Sequence, residues 1–140
     1  MISPRARKGQ SLVEAVVAIG ISLVIITGLV ILAVGAVRTA TLSKNRSLAV
    51  QYAQEGMEAL RSIRDRDYTE LPSSGGPYRL VWTGSEWSTL AGTETLDMFI
   101  RSFQVSEPTS GKLQFDLSVT WTDSAGGHSV DLSTYLADWR

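Results

Sequence analysis

From Ala15 to Val37 the chain carries no charge across twenty-three residues, most of them apolar. A helix of that length rises roughly 35 Å, enough to cross a hydrocarbon layer of about 30 Å. Beyond Val37 the helical period continues but acquires a polar face. Ala49, Ala53, Gly56, Met57, Leu60 and Ile63 recur at three-to-four spacing, while Lys44, Arg46, Glu55, Glu58 and Arg61 fall mostly elsewhere. No proline interrupts the stretch between Pro4 and Pro72. The pattern predicts one helix from about Ser11 to about Arg64, roughly 80 Å long. Its first half is apolar all round and its second half has a single apolar face.

A turn-rich connection, Leu71-Pro72-Ser73-Ser74-Gly75-Gly76-Pro77, ends that regime, and the period then changes to two. Tyr78, Leu80 and Trp82 alternate with Arg79 and Val81. Phe99, Phe103 and Val105 share one side of a segment near 97–106, with Arg101 among them. Leu113 to Thr122 alternates strictly, Ser124-Ala125-Gly126-Gly127 marks a hairpin, and Val130 and Leu132 resume the pattern on the return. The expected fold is therefore α+β, with a four-stranded antiparallel sheet whose apolar face covers the amphipathic half of the helix.

Composition narrows the picture. Of 140 residues, removal of 12–37 leaves roughly a hundred, enough for one small domain. The absence of cysteine excludes disulfides and thiolate metal sites. The net charge of −1 is asymmetric, because Arg5, Arg7 and Lys8 stand in the first nine residues without an acid. Without them ten basic side chains face fourteen acidic ones, near −4, and neither nucleic acid nor an anionic lipid surface is indicated as the main partner. The upstream basic residues, by the positive-inside rule, keep that end cytoplasmic and place the remainder across the membrane.

The apolar segment exceeds the roughly 7–15 residues of a cleavable secretory signal, and no convincing small-x-small cleavage site precedes Arg38. A plain single-pass anchor fits the length but leaves Glu14 unexplained. A carboxylate at a helix centre costs about 2.5–3.5 kcal/mol on insertion, less at the edge, so an anchor tolerates Glu14 without needing it.

Arg5-Ala6-Arg7-Lys8-Gly9, then Gln10, Glu14 and the apolar run, resemble the N-terminus of type IV pilins and type II secretion pseudopilins. The resemblance implies a pilin-like fold and a division into a basic leader (1–9), a transmembrane and filament-core helix (10–38), the amphipathic half of the same helix (39–66) and an antiparallel β head (67–140). It implies that prepilin peptidase cuts between Gly9 and Gln10 and N-methylates Gln10. It also implies that Glu14 pairs with the freed N-terminal amine of a neighbouring subunit and sets the register of assembly. Gln10 departs from the family, where phenylalanine is usual; cyclisation of an N-terminal glutamine would remove the charge Glu14 needs. The stretch from Gln54 to Asp65, with Phe99-Ile100-Arg101 and Val119-Thr120-Trp121, resembles minor pilins and pseudopilins rather than large major pilins. The implied partners are prepilin peptidase, other pilin or pseudopilin subunits, an inner-membrane assembly platform and the membrane, with no cofactor and no nucleic acid. The implied location is the cytoplasmic membrane and then an extracytoplasmic filament serving pilus biogenesis, type II secretion or DNA uptake.

Other chemistry is sparse. Gly20, Gly28 and Gly35 lie near one helix face and would allow close helix approach. His128, the sole histidine, reads as an exposed hairpin residue, and no catalytic grouping forms around it. Glu55 and Glu58 read as solvated charges beside Arg61. Asp116, Asp123, Asp131 and Asp138 lack the ligand spacing of a calcium loop. Trp82 and Trp121 read as core, Trp87 and Trp139 as exposed. An adhesive or ligand-binding head on an anchor is the alternative reading. An anchored enzyme has no residue constellation to support it, and no phosphate-binding loop is present.

Overall fold

The computed structural model describes residues 8–109 and 111–138, with side chains from residue 11 onward. Residues 1–7, Ser110, Trp139 and Arg140 lie outside the described residues, as do the side chains of Lys8 and Gln10. The chain forms two compact units that divide between Ser43 and Lys44, within a helix, α1, that runs Lys8–Arg66.

In the first unit, residues 11–43 are helical and exposed throughout. This is one helix long and apolar enough to cross a membrane. Without a proline, every backbone N–H beyond the first turn has a carbonyl to bond.

The second unit packs the last part of α1 on a sheet. The helix stops because Asp67 turns extended, with φ −155° and ψ 112°, and caps a short 3₁₀ turn, Tyr68–Glu70, by accepting from the Thr69 N–H. Arg64 and Arg66 occupy the last helical turn, where cations complement the carbonyl end of the dipole. The strands are β1 (Gly75–Trp82), β2 (Trp87–Ala91), β3 (Glu94–Leu96), β4 (Phe99–Thr109), β5 (Lys112–Asp123) and β6 (Gly126–Ala137). They form one antiparallel sheet in the order β2-β1-β4-β5-β6, with β3 also paired to β4.

Six strands replace the four expected. The additions are β2 and β3, which contain five and three residues and lack a sustained alternation of apolar and polar positions. Backbone pairing made them: β2 returns along β1 with Trp87 opposite Trp82, and β3 folds onto β4 through Asp97 in the left-handed region at φ 57°. Asp tolerates that conformation better than most side chains.

The core follows the predicted periods. On β5, Leu113, Phe115, Leu117, Val119 and Trp121 are buried, alternating with half-buried or exposed polar side chains. Phe99, Phe103 and Val105 line β4 beside them, and Ala49, Ala53, Met57, Leu60 and Ile63 supply the helix face. Helix and sheet pack tightly at Gly56, where an added Cβ would stand 2.5 Å from Leu117 Cδ1 and 3.3 Å from Leu80 Cδ1. Arg101 occupies the same inward row of β4 and is buried with Phe99 and Phe103.

Two tryptophans differ from expectation. Trp82 is 53% exposed, because it is the last residue of β1, one alternation beyond the buried Leu80. Trp87 is half-buried, its ring set against Trp82 at 5.3 Å in a T-shaped pair. Trp121 lies in the core as expected.

Candidate functional site

The apolar helix is built to satisfy its own polar atoms. Ser22 Oγ donates to the Ala18 carbonyl at 2.8 Å and Thr27 Oγ1 to the Leu23 carbonyl at 2.8 Å. Thr39 and Thr41 do the same toward Gly35 and Val37, at 3.1 and 3.0 Å. Each hydroxyl thus finds an acceptor one turn back, the arrangement that lets serine and threonine sit in hydrocarbon without an orphan donor. Glu14 is the exception: it is exposed and, among the described residues, has neither a hydrogen bond nor an ion pair. The segment therefore contains one unsatisfied polar group, at its front edge.

The backbone at Gly9 and Gln10 is already helical. Ile31, in the second half of the apolar run, continues the helix without interruption. Gly20, Gly28 and Gly35 have open space where a Cβ would stand. Cations flank both ends of the apolar run, since Arg38, Lys44 and Arg46 are exposed beyond it. Charge count alone therefore does not set the direction of insertion.

In the head, the polar groups with unusual settings serve the fold. Arg101 donates from Nε and Nη2 to Glu94 Oε2 at 2.9 and 2.7 Å, and from Nη1 to the Tyr52 carbonyl at 2.8 Å. Glu55 Oε1 stands 3.5 Å from Nη1, so Glu55 faces Arg101 rather than pairing only with solvent. Glu58 pairs with Arg61 as expected. The sequence carried one signal of the Arg101 cluster: an arginine in phase with Phe99, Phe103 and Val105.

His128 is not the exposed loop residue expected. It is half-buried, stacked on Trp121 at 5.2 Å, with Nε2 3.0 Å from Asp123 Oδ1. The cause is register: β6 begins at Gly126, so His128 falls directly opposite Trp121. Trp121 Nε1 is buried without a partner among the described residues. The Ala125 N–H, and after it His128, hold the Asp123 carboxyl below the usual carboxylate range. The Ser133 hydroxyl and then the Gln114 amide do the same for Asp116. Asp131 accepts from Ser129, so these acids bond to neighbouring side chains and backbone rather than to one another. Among the described residues, no three His, Asp or Glu side chains gather in metal-binding geometry.

One open groove of about 510 Å³ runs between α1 and β6. Met57 and Leu132 give it apolar lining, with Gln54, Glu58 and Arg61 from the helix.

Comparison of the chain with protein-family models, with curated proteins and with solved structures returns no match.

Proposed function

We propose that the chain is a structural subunit of a type IV filament system, a minor pilin or pseudopilin. The carrying observation is Glu14: a carboxylate without a partner among the described residues, at the head of a continuous apolar helix in which Ser22, Thr27, Thr39 and Thr41 bond back to the helix's own carbonyls. A plain anchor has no use for that group. A helix that packs among copies with a freed amine at each N-terminus does, because a buried carboxylate needs a cationic partner.

On this reading prepilin peptidase cleaves between Gly9 and Gln10 on the cytoplasmic face and methylates Gln10. The helix holds the subunit in the cytoplasmic membrane with its head outside. An assembly platform then passes it into an extracytoplasmic filament used for pilus biogenesis, type II secretion or DNA uptake. The direction of insertion rests on the leader motif, since basic residues flank both ends of the span. Glu14 pairs with the Gln10 amine of an adjacent subunit and fixes the axial step between them. The subunit does no chemistry itself.

Mass spectrometry of the chain from membranes tests the first step. A mature N-terminus at Gln10 is expected, and an intact Met1 would overturn the reading. Glu14→Ala should leave cleavage intact and deplete the chain from the sheared filament fraction. Undiminished incorporation would remove the register role.

A further inference from the structure

We infer that heads of successive copies join edge to edge, with β2 of one copy pairing in parallel alongside β6 of the next. This rests on the filament reading.

The path of the sheet ends in two edge strands, β2 and β6, each paired on one side only, and on β2 the Trp87 carbonyl already accepts from Arg66 Nη2 at 3.0 Å. Natural sheets usually blunt such edges with lysine, proline or a bulge. Neither strand contains lysine or proline, β2 carries no charge, and β6 carries only Asp131. No register shift interrupts β6 from Gly126 to Ala137. Twelve residues thus offer one side of their backbone to another strand.

The two edges complement each other on the helix face of the sheet. Beside β6, Val130, Leu132 and Thr134 point inward but remain half-buried, and the groove opens between them and Met57. Beside β2, Trp87 and Trp82 point to that same face, and Trp82 is 53% exposed. A β2 strand laid against β6 places the tryptophan pair of one copy in the groove of the other. Tryptophan, with tyrosine and arginine, is enriched among the residues that carry most of an interface's binding energy.

Direction agrees with propagation. Four antiparallel steps separate β2 from β6, so the two edges run the same way. Copies repeated without reversal present them in parallel. Such a contact is heterologous: each copy uses one edge and leaves the other free, which builds an open row rather than a closed dimer.

The chain has no cysteine, so introduced ones report cleanly. Leu90→Cys, on the outer face of β2, is combined in turn with Ser129→Cys, Asp131→Cys, Ser133→Cys and Tyr135→Cys, on the outer face of β6. Each full-length double variant is treated with a short bismaleimide in its own cell membranes. One register should give a ladder of dimers, trimers and higher species, and adding Trp82→Ala should weaken it about tenfold. Monomer throughout would overturn the proposal, as would dimers formed equally by a single-cysteine variant. The N-terminus and sheared fraction of the same samples separate the two readings. Filaments recovered without a ladder refute the edge contact alone. A ladder from chains still beginning at Met1 supports the contact and refutes the filament reading.

Discussion

Arg101 on β4 reaches the main-chain carbonyl of Tyr52 on α1, 2.8 Å away, across a helix turn that Gly56 leaves free of any side chain. The Tyr52 carbonyl is also the acceptor for the Gly56 N–H in a regular helix. A Cβ on residue 56 would lie 3.4 Å from Arg101 Cδ. The glycine and the arginine are thus two parts of one helix-to-sheet joint, and Glu94 holds the guanidinium from β3.

Arg101→Ala should destabilise the head by about 3 kcal/mol, the low end for a broken buried pair, because Glu94 keeps some access to water. Arg101→Met combined with Glu94→Leu should recover much of that loss, since no charge is then stranded. Urea unfolding of the detergent-solubilised chain, followed by tryptophan emission, measures both. Equal losses in the single and double variants would contradict the coupling.

Gly56→Ala tests the close approach. Alanine gains about 1 kcal/mol of helix propensity, yet its Cβ would meet Leu117 Cδ1 at 2.5 Å in a filled core. Overpacking costs about 1–3 kcal/mol, so a lower melting temperature is expected, and Gly56→Val should lower it further. A rise with alanine would mean that the leucine moves aside freely.

The Asp116 carboxyl titrates below its unfolded value because Ser133 and Gln114 bond its charged form. A depressed folded value contributes stability above the unfolded value of about 3.9, lost as pH falls through the folded one. Ser133→Ala should therefore lower stability at pH 7, and the gap from wild type should close progressively below about pH 4. Paired denaturation curves from pH 7 to pH 2.5 would show it. A gap constant with pH would assign the effect to packing.

Ile25→Lys places a charge in the middle of the apolar run and should cost about 2.5–3.5 kcal/mol of insertion. The variant should move from the carbonate-resistant membrane fraction to the soluble fraction or be degraded. Thr27→Val, which removes an already internally bonded hydroxyl, should fractionate as wild type.

The parts legible in the sequence were those where one residue's burial repeats with a fixed period. The long helix ends at Arg66, two residues beyond the expected Arg64, and the inward row of β5 matches its alternation. Strands β2 and β3 were illegible because pairing with β1 and β4, rather than an apolar pattern of their own, defines them. Arg101 looked like an interruption of an apolar row, and Glu94, seven residues earlier, together with the Tyr52 carbonyl on the helix, explains it. His128 was misread because a two-residue hairpin loop, Ser124-Ala125, brings it back onto the sheet. Of the candidate site, Glu14 has no partner among the described residues. On the filament reading its partner belongs to another, and an ion pair between chains leaves no trace in either one alone.

The hydroxyls of Ser22, Thr27, Thr39 and Thr41, each closed on the turn behind it, carry a consequence for traffic in both directions. Apart from Glu14, such a segment has no polar group to re-pair when its surroundings change from acyl chains to neighbouring helices, or back again. Side-chain packing is then the main difference between the two environments, and packing is gained or lost without a solvation barrier from these groups. A subunit built this way is as fit for withdrawal as for delivery, and its helix is a reusable part.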